Sequence, residues 1–121
     1  MHWNAVGPLF YGLHKLTEAQ YEDLAVAVDE IAERIRALGH RAPATFAEFI
    51  ELSEIKESPG VMTAEQSIAT LVADHETVSR TFREAARVAG EHSDIVTADM
   101  LTRRTKVHEE AAWMLRSLIA Q

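Results

Sequence analysis

The sequence of 121 residues contains no cysteine, which excludes disulfide bonds, thiol chemistry and metal sites built on thiolates. Any metal site in this chain therefore has to use histidine and carboxylate ligands. That ligand set suits iron, manganese or zinc but not an iron–sulfur cluster. The lack of cysteine also fits a reducing compartment, and we expect the protein to be cytoplasmic.

Long apolar runs and basic tails are missing as well. No run approaches the roughly 18 apolar residues of a membrane-spanning helix, and no basic segment precedes an apolar one as in a secretory signal peptide. The formal net charge is −7, and neither end of the sequence is rich in lysine or arginine. Because affinity for nucleic acid depends largely on neutralising phosphates, direct DNA binding by this chain is disfavoured. Association with a membrane is not expected either.

Glycine and proline are scarce, and the five glycines and three prolines fall between segments of helical periodicity. The spacing predicts a first long helix from about Leu9 to Leu38, with Gly39 as its C-terminal stop. Its apolar stripe contains Leu13, Leu16, Leu24, Val28, Ile31, Ile35 and Leu38.

Two capping boxes mark the helices that follow. Thr45 with Glu48 predicts a short helix whose apolar residues are Phe46, Phe49 and Ile50, and Thr63 with Gln66 predicts a second long helix. A third long helix follows the turn at residues 90–93. No segment has the alternation typical of a strand, so the sequence predicts a single all-α domain over residues 1–121.

Three long helices and one short helix do not close a four-helix bundle. If the fold is such a bundle, its first helix is truncated in this chain and the opening residues "MHWN" are the last turn of that helix. His2 would then be unanchored, and much of the bundle core would lie open. The alternative is a three-helix bundle with a frayed start, and the helix count leaves both architectures open.

A stripe of potential metal ligands follows the first long helix. His14, Glu18, Asp29 and Glu33 fall within an arc of about 100° on a helical wheel. His14 and Glu18 are four residues apart, as are Asp29 and Glu33, so each pair offers two ligands from neighbouring turns. The pairs are separated by about 16 Å along the helix, whereas metal–ligand bonds are only about 2.0–2.2 Å long. One straight helix cannot bring both pairs to one metal ion.

An antiparallel dimer of this helix solves the distance problem. His14 and Glu33 are equally far from the midpoint between residues 23 and 24, and so are Glu18 and Asp29. A two-fold axis at that midpoint places His14 opposite the partner's Glu33 and Glu18 opposite the partner's Asp29, which creates two equivalent sites. His2 completes each site if it lies beside His14. The competing interpretation is a solvated acidic helix face with a structural histidine.

The residues that carry these features resemble a known family. The segment "HWNAVGPLFYGLHKLTEAQY" is similar to the signature HWN-x-x-G-x-x-F-x-x-x-H-x-x-x-[DE] of the Dps proteins, mini-ferritins named as DNA-binding proteins from starved cells. "DEIAERIRALG" is similar to the family pattern D-x-x-A-E-R-x-x-x-L-G. Further resemblance lies in "ATFAEFIELSEIKE" and "HEEAAWMLRS", so that the similarity covers nearly the whole chain.

The resemblance implies a ferritin-like four-helix bundle, with a short helix between the second and third bundle helices and a truncated first helix. It also implies an iron-storing ferroxidase that binds Fe(II) at a two-fold interface and uses hydrogen peroxide or oxygen as oxidant. The matching ligands are His2, His14 and Glu18 from one subunit and Asp29 and Glu33 from its partner. The implied assembly is a homodimer within a dodecamer, with iron as the metal and zinc as a possible resting occupant.

Two departures from the family pattern are visible. Position 18 is glutamate where many members have aspartate, which keeps the carboxylate and lengthens its reach. The lysine-rich tail of many members has no counterpart here, so the DNA-binding property does not transfer. Because a single residue stands before His2, the second hypothesis is a truncated, non-enzymatic helical assembly that only sequesters a metal ion. His75 and His108, near the apolar stripes, are interpreted as core or interface histidines.

Overall fold

The computed structural model describes residues 1–120 and contains four α-helices. They are α1 (Phe10–Ala37), α2 (Phe46–Leu52), α3 (Ala64–Glu91) and α4 (Ile95–Ile119). No strand occurs within those 120 residues, so the predicted all-α class is confirmed.

The helix ends follow the local signals in the sequence. Thr45 and Thr63 both form complete capping boxes, with Glu48 and Gln66 as their partners, as predicted. Gly39 lies just beyond α1 with a φ of 90°, a left-handed conformation that favours glycine. These contacts satisfy backbone groups that a helix end otherwise leaves without a partner.

The apolar core lies at one end of the molecule. Leu13, Ile68 and Leu115 are fully buried there, and they come from the start of α1, the start of α3 and the end of α4. Helices α1 and α3 therefore run in the same direction, while α4 runs antiparallel to both. Ala5 joins this cluster, so the segment before α1 is folded back against the bundle.

The opposite end of α1 is held by polar contacts. The Arg34 guanidinium donates to Asp94 Oδ1 at 2.8 Å and to Thr97 Oγ1 at 2.9 Å. Asp94 is also the N-cap of α4, where its side chain accepts a hydrogen bond from the Thr97 backbone N–H. The end of α1 is thereby attached to the start of α4.

Part of the predicted apolar packing is absent within the chain. On α1, Leu24 and Val28 are exposed, although the periodicity placed them in the buried stripe. The short helix α2 contacts no other helix within residues 1–120, and its residues Phe46, Phe49 and Ile50 are exposed. The apolar stripe predicted on α1 is therefore only partly covered within residues 1–120. Amphipathic spacing identifies an apolar face but not the surface that covers it.

Candidate metal centre

The turn before α1 brings His2 beside His14. Gly7 has a φ of 91°, a conformation that residues with a Cβ rarely adopt, and the Phe10 backbone N–H donates to its carbonyl oxygen at 3.0 Å. The chain reverses at this point, so residues 1–6 return along the first turns of α1. This fold-back places His2 against the first turns of α1.

The rings of His2 and His14 are stacked. Their centroids are 4.0 Å apart and their planes differ by 15°. His2 Nδ1 lies 3.0 Å from Thr17 Oγ1, and Tyr21 meets the His2 ring edge-on at 5.1 Å. His2 is partly buried by these contacts. The prediction that His2 is unanchored is therefore wrong.

The hydrogen bond of His14 leaves its other ring nitrogen as a potential ligand. His14 Nδ1 donates a hydrogen bond to the His2 carbonyl oxygen over 3.1 Å, because a carbonyl can only accept. A neutral imidazole carries one proton, so Nε2 of His14 retains its lone pair. A hydrogen bond at the second nitrogen is the usual arrangement for a histidine that binds a metal.

Glu18 lies one turn beyond His14 and pairs with a lysine. Lys15 Nζ donates to Glu18 Oε2 at 2.7 Å. This hydrogen bond and the lysine charge lower the pKa of Glu18. The carboxylate is therefore ionised at neutral pH and only partly exposed. A metal ion at this position has to compete with Lys15.

Asp29 and Glu33 lie three to four turns further along α1. Both are exposed, and neither makes an ion pair with any other residue among those described. The axial rise separates Glu18 from Asp29, the nearest members of the two pairs, by about 16 Å. Within residues 1–120, no group of three or more histidine and acidic side chains is placed to hold a metal ion. The chain thus brings His2 and His14 together and leaves Asp29 and Glu33 apart from them.

A second pair of histidines lies buried between α3 and α4. His75 and His108 face each other with their Nδ1 atoms 2.9 Å apart, and Arg104 Nη2 donates to His108 Nε2 at 3.2 Å. Arg104 also makes two hydrogen bonds with the Asp23 carboxylate, at 3.0 and 2.8 Å. The interpretation of these histidines as core residues is confirmed by their burial.

Protons in this network have one consistent arrangement. Arg104 can only donate, so His108 Nε2 accepts and His108 carries its proton on Nδ1. That proton is donated to His75 Nδ1, which leaves His75 Nε2 to donate to Gln20 Oε1 at 3.3 Å. Burial lowers the pKa of His75, and burial with the charges of His75 and Arg104 lowers the pKa of His108 to about 4. Both rings are therefore neutral at pH 7.

Sequence reasoning missed Thr17. It also missed the residues that complete the buried histidine network, which are Gln20, Asp23 and Arg104. Thr17 had no signal beyond its position one turn after His14. The four-residue spacing of Arg104 and His108 indicated that the two share a face of α4. Nothing in the sequence indicated that Asp23 and Gln20 of α1 would meet that face.

None of the four helices within residues 1–120 combines the length and apolar character that crossing a membrane requires.

Known proteins resemble this chain over nearly its full length. Residues 1–121 match the family model of the ferritin-like domain. A low temperature-induced protein from Nostoc is 45% identical over 120 residues, which cover 98% of this chain and 67% of the relative. The DNA protection during starvation protein 2 of Bacillus anthracis is 36% identical over 120 residues, covering 99% of this chain and 82% of the relative.

Solved structures show the same fold. Dps from Staphylococcus aureus superposes with a TM-score of 0.95 at 33% identity, over 99% of this chain and 80% of that one. Dps from Vibrio cholerae, described as a member of the ferritin-like diiron-carboxylate superfamily, gives a TM-score of 0.92 at 30% identity, over 98% of this chain and 75% of that one. The predicted ferritin-like bundle is thus confirmed, and iron storage is supported at the level of the family. The chain belongs to the ferritin-like family and, within it, to the Dps proteins.

Proposed function

We propose that this protein is a ferroxidase that oxidises Fe(II) at sites shared by two subunits and stores the ferric product. The observation that carries the proposal is the stacked pair of His2 and His14, with Glu18 one helical turn beyond His14 on α1. Nitrogen and carboxylate oxygen ligands together suit iron. Two imidazoles and one carboxylate from a single chain form half a site, and Asp29 and Glu33 of a two-fold partner supply the other half.

The exposed surface of α1 supports a two-fold contact at this place. Leu24 and Val28 are apolar and exposed, and they lie close to the midpoint between residues 23 and 24. An antiparallel contact centred there covers these side chains and brings each acidic pair to the partner's histidines. In the same proposal, such dimers build a closed homo-oligomer, a dodecamer, in the cytoplasm.

The reaction in this proposal balances with peroxide as the oxidant. Two Fe(II) ions each lose one electron, and hydrogen peroxide accepts both while its O–O bond breaks. With two protons the oxygen atoms leave as two water molecules. The chain's own residues bind and orient the iron, and the carboxylates neutralise the charge that grows as Fe(III) forms. Oxygen is the alternative oxidant.

Neither zinc nor DNA is a partner of the protein in this proposal. No feature of residues 1–120 favours zinc as the metal bound at rest, so iron alone is proposed as the substrate. DNA binding is not part of the proposal, because the net charge of −7 opposes contact with phosphates.

Measuring ferric absorbance after mixing Fe(II) with peroxide tests the proposal. We expect His14→Ala and Asp29→Ala each to slow oxidation by more than the roughly tenfold to hundredfold loss typical of changes around a metal site. Glu30→Ala is the matched control, because Glu30 is an exposed acid of α1 outside the ligand arc. Wild-type rates in both ligand variants would refute the proposal. Binding of Fe(II) without oxidation would support the sequestering module instead.

Mixing the two inactive variants tests whether each site is shared. Chains that carry only His14→Ala and chains that carry only Asp29→Ala form heterodimers with one intact site and one doubly altered site. We expect dissociated and reassembled mixtures to regain oxidation above that of either variant alone. Recovery that never exceeds the single variants would show that His14 and Asp29 do not act across a subunit interface.

A further inference from the structure

We propose that Thr17 is a positioning residue that keeps the proton of His2 on Nδ1, so that the Nε2 lone pair of His2 is available to a metal ion. The inference rests on the proposed function and adds a residue to it. Thr17 does not touch the metal in this proposal and acts only through His2.

The hydroxyl proton of Thr17 is already committed to the backbone. Thr17 is buried, and its Oγ1 donates to the Leu13 carbonyl oxygen at 2.7 Å, with the His14 carbonyl oxygen at 3.2 Å as the other acceptor. Carbonyl oxygens can only accept, and the Leu13 carbonyl is the shortest of the three contacts, at 2.7 Å against 3.0 Å for His2 Nδ1, so it takes the hydroxyl proton. With its proton directed to the backbone, the oxygen of Thr17 accepts from His2.

The tautomer of His2 follows from that contact. His2 Nδ1 lies 3.0 Å from Thr17 Oγ1 and has to supply the proton of this hydrogen bond. In a neutral imidazole the single proton then lies on Nδ1, and Nε2 holds a lone pair. His14 reaches the same state through the carbonyl oxygen of His2. Both stacked rings thus have an unprotonated Nε2, whose lone pair can bind a metal ion.

His2 and His14 differ in the kind of group that sets their tautomer. The partner of His14 is a backbone carbonyl, which any residue at position 2 supplies, whereas the partner of His2 is a side chain. Partners of this kind orient a metal-binding histidine and set its tautomer, and their loss typically weakens metal binding about tenfold to a hundredfold. Thr17 is therefore a position where the tautomer can be changed by substitution.

A buried threonine on a helix also has a plain structural explanation, and Thr105 represents it. Thr105 is buried on α4 to a similar degree, and its hydroxyl donates to the Leu101 carbonyl oxygen at 2.8 Å. No other side chain bonds to it among the described residues. Thr105→Val removes the same kind of bond as Thr17→Val, from a threonine hydroxyl to the carbonyl oxygen four residues earlier. The Thr105 hydroxyl is not bonded to a histidine, which makes this variant the matched control.

The test compares Thr17→Val, Thr17→Ser and Thr105→Val in two measurements. Calorimetry with Co(II) gives metal affinity, and solid-state NMR of isotope-labelled histidine nitrogens shows which ring nitrogen of His2 carries the proton in metal-free protein. We expect Thr17→Val to lose the Nδ1–H state of His2 and to bind Co(II) about tenfold to a hundredfold more weakly. Thr17→Ser and Thr105→Val should resemble the wild type.

Two results would overturn the role of Thr17. The first is that Thr17→Val leaves the His2 tautomer and the Co(II) affinity unchanged. The second is that Thr17→Ser loses as much Co(II) affinity as Thr17→Val, which would assign the effect to packing of the methyl group.

His14→Ala separates the failure of this proposal from the failure of the proposed function. If that variant binds Co(II) as tightly as the wild type, the ligand set is wrong. If it loses binding while Thr17→Val does not, only the role of Thr17 fails.

Discussion

Lys15 is the side chain that a metal ion has to displace at the candidate centre. Its ammonium group holds the Glu18 carboxylate at 2.7 Å, and both groups are accessible to water. Exposed ion pairs of this kind are weak, so the contact can open when a divalent cation arrives. The pair keeps Glu18 ionised without closing the site.

Replacing Lys15 by alanine should strengthen metal binding. We expect Lys15→Ala to raise Co(II) affinity a few-fold at most, because an exposed pair contributes little, and the gain should shrink as salt is added. Calorimetry at low and high salt measures both effects. Lys106→Ala is the control, since Lys106 forms an exposed pair with Glu110 on α4. Weaker Co(II) binding in Lys15→Ala would contradict this account of the pair.

At the level of the helices, a hydrogen bond between two neutral histidines, His75 and His108, connects α3 to α4. The groups that face them are Arg104 on α4, Asp23 and Gln20 on α1, and each other. A second proton on His108 would place its Nε2–H against the Arg104 guanidinium. Protonation of either ring therefore destabilises the contact between the two helices.

The free energy of unfolding should fall as pH drops below the ordinary histidine pKa. The folded-state pKa of His108 is about 4, below its unfolded value of about 6.5, so the unfolded chain binds more protons between these values. The stabilising contribution is complete above pH 6.5 and is lost toward pH 4. Between pH 7 and pH 5 we expect a loss of about 2 kcal/mol from His108, measured by urea unfolding.

Two variants distinguish the buried pair from other titrating groups. His108→Gln should show a smaller loss of stability between pH 7 and pH 5, because the group that takes up the proton on unfolding is gone. His92→Gln should behave like the wild type, since His92 is an exposed residue at the end of α3. Parallel pH dependence in the wild type and His108→Gln would show that His108 is not the source.

For the whole molecule, the important feature is that residues 1–120 leave both acidic side chains and apolar surface uncovered. Exposed apolar side chains occur on α1 and α2, and the acidic pair of Asp29 and Glu33 is exposed on α1. In the proposed dimer these carboxylates approach Glu18 of the other subunit. Like charges at this distance repel unless a cation lies between them.

Metal binding should therefore stabilise the dimer. We expect Co(II) at about a hundredfold excess over its Kd to stabilise the assembly by about 2.7 kcal/mol per site and to raise its melting temperature. Thermal unfolding and analytical ultracentrifugation with and without Co(II) measure the effect. Asp29→Ala should remove it, and Glu30→Ala should retain it. A melting temperature that does not respond to Co(II) in the wild type would exclude a metal-bridged interface.

The sequence by itself determined the helices and the positions of the ligands along them. Capping boxes at Thr45 and Thr63 and the stop at Gly39 depend on residues within one turn of each other, so local chemistry decided them. The same holds for the four-residue spacing of His14 and Glu18 and of Asp29 and Glu33, because helix geometry converts spacing directly into a shared face.

The tertiary structure alone decided which surfaces and side chains meet. The fold-back at Gly7 stacks His2 on His14 and brings it to Thr17, although 15 residues separate the two bonded side chains. Arg104 pairs with Asp23 although 81 positions separate them in the sequence, and periodicity cannot predict such a contact. Leu24 had the right spacing for the core and is nevertheless exposed. Periodicity defines an apolar face of a helix, but only the packing of the other elements determines whether that face is covered.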